Sequence, residues 1–271
     1  MLFEKEHVMK LKIASLNVGR FYDTPDSLSA VRFLTDPLLD AVCIQGLPEF
    51  VVRDEQFRKR WPVGHFAPMT NHFMQGGVRV PVGIGIFSRE LPFVSLTTAA
   101  YVGNVLPVSD LDPAAVTIGP DGNASAEDAV LLEKCESRLA IFATVQAGKS
   151  PLTIGTTHGP WRPGGVVDYS LRQAMRKFVG IVASQRGDLV LAGDFNIERN
   201  SEIYHGFLQS GLRDRIPPEV VNTIDWNNRG TQGPDLVVDY IFTRGDAGVS
   251  DVELHFGLSK HAAISAVVEL A

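Results

Sequence analysis

Two acids, two histidines and an amide sit where apolar runs of this 271-residue sequence come to an end, and together they could move a proton and hold an anion. In Asp188-Leu-Val-Leu-Ala-Gly-Asp194-Phe-Asn196, an apolar run delivers a carboxylate and an amide two residues apart. If the strand continues that far, its two-residue period puts both on one face, where they could position a water and hold a phosphate oxygen or a cation. The same two residues could instead cap backbone groups in a strand-end turn. Asp239 lies within Val-Val-Asp-Tyr-Ile-Phe, with apolar neighbours on both sides. Burying it unpaired would cost several kcal/mol. A partner is therefore demanded, either a histidine on a neighbouring strand or an arginine in a structural salt bridge. His158 closes Leu-Thr-Ile-Gly-Thr-Thr-His ahead of Gly-Pro-Trp161-Arg162-Pro-Gly-Gly, and His261 follows Leu-Ser-Lys260 just before the last apolar run. Either histidine alone reads as structural. Four such elements at strand ends read as a site, because chemistry on sheets is usually built from strand-end loops.

These residues need a sheet system to bring them together. Eight β-rich runs, at 11–18, 40–45, 82–88, 138–146, 152–158, 188–193, 237–243 and 263–270, predict one. Leu171, Met175, Phe178 and Val182 fall at spacings of four, three and four, predicting a crossover helix with one apolar face against a sheet. A second helix is expected from about Ser201 to Ser210, with Asn200 as N-cap and Gly211 as stop. The stretch from Thr97 to Asp128 reads as a long irregular excursion of the kind that shapes binding sites.

Composition narrows the function classes. With 45% hydrophobic residues the chain can bury a large core without disulfide or metal, and no Pro/Gly/Ser-rich linker divides it, so 1–271 is read as a single domain. The first residues lack the basic-then-apolar order of a secretion signal, and no apolar stretch approaches the roughly 20 residues of a membrane helix, so a cytoplasmic protein is expected. Cys43 and Cys135 show no ligand spacing and are expected as buried free thiols. A net charge of −6 argues against a broad basic DNA-binding surface. The cluster Arg53, Arg58, Lys59, Arg60 is either a local basic groove or a solvated helix face.

The motifs, in order, resemble the endonuclease/exonuclease/phosphatase superfamily over nearly the whole chain. Ser-Leu-Asn17-Val resembles that family's first-strand Asn, and Asp40-Ala-Val-Cys-Ile-Gln45 its second motif. Gly83-Ile-Gly-Ile-Phe-Ser-Arg89, Thr157-His158 with Arg172-Gln173 on the next helix, Gly193-Asp194-Phe-Asn196, Asp239-Tyr-Ile-Phe and Ser259-Lys260-His261 continue it. The resemblance implies a two-sheet α/β sandwich with helices on the outer faces. It also implies roles: Asp194 orients or deprotonates the attacking water, Asn196 and Asn17 hold water and phosphate, His261 pairs with Asp239 to stabilise the transition state, and His158 binds a phosphate oxygen. Trp161, Arg162 and Lys260 join Asn17 as expected substrate contacts.

Two positions depart from the pattern. Where the family's second motif ends Gln-Glu, with the Glu as main magnesium ligand, this chain has Gln45-Gly46; where its last motif reads Ser-Asp-His, this chain has Ser259-Lys260-His261. Losing both carboxylates should weaken Mg2+ or Mn2+ binding severely, leaving Asn17, Asp194 and, if it reaches back, Glu49 as ligands. Alternatively the Lys260 ammonium takes the metal's place; it can stabilise a phosphate oxygen but cannot ionise water. The implied function is hydrolysis of a phosphodiester or phosphomonoester, in a small molecule or short nucleic acid, by water attack at phosphorus. The alternatives are a non-catalytic member that binds a phosphorylated ligand or a protein partner, and a plain structural sandwich.

Overall fold

The computed structural model describes residues 9–19, 27–73, 79–103, 137–148, 150–161, 167–230 and 232–270. Among them, twelve strands form two six-stranded sheets. The first sheet contains β1 (Met9–Asn17), β2 (Ala41–Pro48), β3 (Val63–Phe73), β4 (Arg79–Ser88), β11 (Gly248–His255) and β12 (Ala263–Leu270), in the order β11-β12-β1-β2-β4-β3. The second contains β5 (Phe93–Val102), β6 (Arg138–Ala147), β7 (Ser150–His158), β8 (Asp188–Asp194), β9 (Arg213–Asp214) and β10 (Asp239–Arg244), in the order β5-β6-β7-β8-β10-β9. Among the described strands only β1–β2 and β7–β8 pair in parallel. This is the expected α/β sandwich.

The inner strands are apolar on both faces because both faces are covered. In β1 and β2, Leu11, Ile13, Ala41 and Cys43 join the core cluster shared with the second sheet, while Ala14, Leu16, Val42 and Ile44 join a separate cluster under the helices. Those helices are α1 (Ser27–Leu34), α2 (Glu49–Arg53) and α3 (Glu55–Arg60), which bring Ala30, Leu34, Val51 and Phe57 against the sheet. Helix α4 (Tyr169–Ser184) is capped by Asp168, whose carboxylate accepts from Leu171 N at 2.7 Å. It buries the predicted face of Leu171, Met175, Phe178 and Val182, with Phe178 stacked on Tyr101 at 4.8 Å. No helix among the described residues is long and apolar enough to cross a membrane.

Several expectations need correction. Helix α5 runs Glu202–Gln209, and its N-cap is Ser201, not Asn200: the Ser201 hydroxyl accepts from Tyr204 N. Asn200 instead takes a left-handed turn at φ 69°. Residues 97–102 of the supposed excursion belong to strand β5; positions 104–136, Cys135 included, lie outside the described residues. The basic cluster is divided: Arg53, Arg58 and Lys59 line a surface groove with Glu55 and Trp61, Arg53 pairs with Glu49 at 2.9 Å, and Arg60 lies over Trp61 while donating to the Asp36 and Leu39 carbonyls. Cys43 is buried as expected, and burial pushes its thiol up to about 12.

Candidate active site

Register decides which side chains meet. Parallel pairing of β7 with β8 sets His158 beside Asp194, and antiparallel pairing of β8 with β10 sets Asp239 on its other side. In the opposite sheet, the pairing of β1 with β2 ends with Asn17 beside Gln45. Asn17 crosses between the sheets and donates from Nδ2 to Asp194 Oδ2 at 2.8 Å. His158 Nε2 lies 3.5 Å from both of those atoms. Asp194 is fully buried, so each oxygen needs a donor, and the second accepts from Asn196 N at 2.8 Å.

That last bond corrects the strand argument. Strand β8 stops at Asp194, and Asn196 sits at φ 51° in a turn closed by the Asp194 carboxylate. The two side chains therefore do not share a strand face. The Asn196 amide donates to the Gly159 carbonyl at 3.0 Å and so braces the chain just beyond His158.

Asp239 finds a histidine, and it comes from the loop before β12 rather than from a neighbouring strand. His261 Nδ1 lies 2.9 Å from Asp239 Oδ2 and 3.8 Å from Asp194 Oδ2. The pair is nearly dry, His261 being 6% exposed and Asp239 3%. Burial on its own would lower the His261 pKa. The charges of Asp239 and Asp194, with the Asp239 hydrogen bond, outweigh burial and raise it. Ser259, also buried, fixes the loop: its hydroxyl lies 2.6 Å from the Asn17 carbonyl and accepts from His261 N at 3.0 Å. The final motif is thus tied to the end of β1.

Glu49 opens α2 and is engaged by Arg53, so it does not reach back to the cluster. Lys260 is half-buried, and its side chain makes no ion pair among the described residues. Trp161 is 57% exposed at the strand exit, and Arg162 lies outside the described residues. Arg172 reaches Glu202 on α5 and Gln173 reaches Tyr169, so that motif faces outward. Surface grooves of about 530 Å³ between α4 and α5 and about 600 Å³ along α3 do not coincide with the strand-end cluster.

Two neighbours escaped the sequence. The Tyr101 hydroxyl lies 2.9 Å from Thr157 Oγ1 and 3.3 Å from the His158 carbonyl, and burial pushes its pKa up to about 12. Arg229 feels the charges of Asp194 and Asp239, which partly offset the lowering of its pKa by burial. Tyr101 sits in a segment read as irregular, and Arg229 in a polar loop remote in sequence, so no linear signal marked either.

Could this site hold a metal? Asp194, Asp239 and His261 each offer a ligand atom, and all three atoms lie within 4.8 Å of one another. Such a set could take an ion. It is not the magnesium cradle the motifs imply. Gly46 occupies a bulge at φ 66°, and a Cβ there would lie 2.9 Å from Asn17 Oδ1. That Oδ1 already accepts from Gly19 N, and His261 Nδ1 cannot both donate to Asp239 and bind an ion. Magnesium prefers an octahedral shell of oxygens, which these residues do not supply.

A family model described as Endonuclease/Exonuclease/phosphatase family matches residues 14–259. The chain belongs to this family. No curated protein matches. Solved structures of the endonuclease/exonuclease/phosphatase family share the fold. The protein of that name from Beutenbergia cavernae DSM 12333 is 15% identical with a TM-score of 0.67, covering 97% of this chain and 72% of that one. D. rerio TDP2 complexed with single strand DNA product is 15% identical with a TM-score of 0.66, covering 96% and 98%. The family protein from Leptotrichia buccalis C-1013-b is 14% identical with a TM-score of 0.65, covering 96% and 100%. Membership in the endonuclease/exonuclease/phosphatase family supports phosphoester hydrolysis as the general chemistry.

Proposed function

We propose that this protein hydrolyses phosphate esters by direct water attack at phosphorus, in a site made of Asn17, His158, Asp194, Asn196, Asp239 and His261. The observation that carries this reading is the dry contact of His261 with Asp239 beside the Asp194 carboxylate, which spends buried charge on an arrangement a plain sandwich does not need. Asp194, held by Asn17 and Asn196, orients the water and takes its proton as the oxygen bonds to phosphorus. The bond to the leaving oxygen breaks. His261, its pKa raised, offers positive charge to the phosphoryl oxygens through Nε2 while Nδ1 donates to Asp239, and His158 binds another oxygen. Trp161, Arg162 and Lys260 contact the rest of the substrate.

An ion among Asp194, Asp239 and His261, Mg2+ or Mn2+, would supply Lewis acidity, and its binding is weak for the reasons of donor geometry above. The net charge of −6 favours a small molecule or a short nucleic acid over long duplex DNA. Gly46 and Lys260 support a second reading, a member that binds a phosphorylated ligand or a protein partner without turnover. Hydrolysis of bis(p-nitrophenyl) phosphate, measured with Mn2+, with Mg2+ and with EDTA against an Asp194→Ala control, separates the two. The same assay on p-nitrophenyl phosphate covers monoesters, and wild-type rates no higher than the control on both esters under all three conditions would remove the hydrolase reading.

A further inference from the structure

The mechanism above leaves unused the segment that braces its histidine. Residues 223–229 run beside 257–262 and pin them on both sides of His261. Asp225 N donates to the Lys260 carbonyl at 3.0 Å, Asp225 Oδ2 accepts from Gly257 N at 2.7 Å, and Asn228 Nδ2 donates to the Ser259 carbonyl at 2.9 Å. Ala262 N donates to the Thr223 carbonyl at 2.9 Å, and Ile224 bridges His261. The segment ends in a helical turn, α6 (Trp226–Arg229), whose cap Asp225 accepts from Asn228 N at 3.1 Å.

Arg229 is the last residue of that turn. Its guanidinium lies 5.2 Å from the centroid of the Trp226 ring. Among the described residues its side chain makes no ion pair and no hydrogen bond. Yet it stands close enough to Asp194 and Asp239 to feel both charges, and close enough to His261 to oppose its protonation. An arginine recruited only to neutralise two buried acids would close to ion-pair distance. This one instead lies over the indole of its own turn, a contact that leaves its donors unspent. An exposed fork of unspent N–H groups, on a turn hydrogen-bonded to the loop that carries His261 and near enough to the two acids to feel their charge, suits a tetrahedral anion held between the turn and the cluster.

We propose that Arg229, seated on Trp226, is a phosphate-binding residue of this site, the fixed cation that meets the substrate's anionic oxygens where the chain no longer builds the family's magnesium cradle. The inference rests on the phosphoesterase reading for the identity of the anion. It predicts an affinity for phosphate that needs no metal, because the charge is covalently part of the protein.

The test is calorimetric titration of the full chain with inorganic phosphate in EDTA, for wild type, Arg229→Gln, Arg229→Lys and Trp226→Leu. Arg229→Gln should weaken phosphate binding on the order of tenfold, the usual scale for a lost charged hydrogen bond. Arg229→Lys should recover only part of it, since an ammonium neither forks nor stacks as well. Trp226→Leu should weaken it while keeping the charge, and the midpoint of thermal unfolding of Arg229→Gln should match wild type. Wild-type phosphate affinity in Arg229→Gln, or no phosphate binding by wild type, overturns the inference. Arg229-dependent binding in a protein that hydrolyses no diester upholds it and removes the hydrolase reading instead; hydrolysis unaltered by Arg229→Gln does the reverse.

Discussion

The two halves of the site have fared differently. On the side of β8, β10 and the loop at 259–261, each buried polar side chain of the cluster has a partner: Asp194 has Asn17 and Asn196, Asp239 has His261, and Ser259 has the end of β1. At the positions where the family motifs imply a metal, a glycine stands at 46 on β2, Glu49 on α2 pairs with Arg53, and Lys260, between Ser259 and His261, has no acidic partner among the described residues. The difference follows from coupling. Removing one partner from a buried His–Asp pair strands the other, at a cost of about 3–5 kcal/mol. Replacing a carboxylate at the rim with glycine strands nothing. A site can therefore lose its metal side by single substitutions, while its acid–imidazole side survives whole or not at all.

The hardest test of that contrast is His261→Ala. It should abolish hydrolysis, a loss of at least about a hundredfold, and lower stability by about 3–5 kcal/mol as Asp239 is left unpaired. Rates on one model diester against the Asp194→Ala control, with denaturant melts, check both. Wild-type rates would make the histidine structural.

Asp239→Asn keeps the shape and removes the anion, so hydrolysis should fall by a smaller factor. Because the folded-state pKa of His261 is raised above its unfolded value of about 6.5, the stability it contributes is complete below that value and lost as pH rises through the folded value. In Asp239→Asn the window narrows, and the pH range in which activity persists should shift downward. Melting and rate profiles across neutral pH, unshifted between the two proteins, would contradict the pairing.

On the depleted side, effects should be modest. Lys260→Asp is expected to raise Mn2+ affinity measurably by calorimetry. Gly46→Glu should add less, because a side chain at φ 66° costs about 1–2 kcal/mol and its Cβ meets Asn17 Oδ1 at 2.9 Å. Thermal melts of Gly46→Ala isolate that strain. The smallest effect belongs to Glu49→Gln: metal affinity should not change, and a clear drop would return Glu49 to the site.

The eight runs legible as strands are the eight inner strands, and the four that were not, β3, β5, β9 and β11, are the four sheet edges. Inner strands bury both faces and so must be apolar throughout, which a sequence displays. Edges need not be: β3 carries Pro68 at a bulge, β5 leaves Val94 and Leu96 exposed, and β11 carries Asp251 and Glu253 around its own bulge. The apolar face of α4 was legible for the same reason of burial. At the site, Asp239 announced that it needed a partner because a buried charge has no other way to be stable, and the motif order pointed to His261. What tertiary structure alone decided are the relations between distant segments. Register brought Asn17 from one sheet onto Asp194 of the other, the turn at Asn196 redirected an amide toward Gly159, the bulge closed position 46 to a side chain, and a helical turn 32 residues before His261, counted from Arg229, was hydrogen-bonded to the loop that carries that histidine. Each depends on contacts across tens to hundreds of residues, and no local preference along the chain encodes such distances.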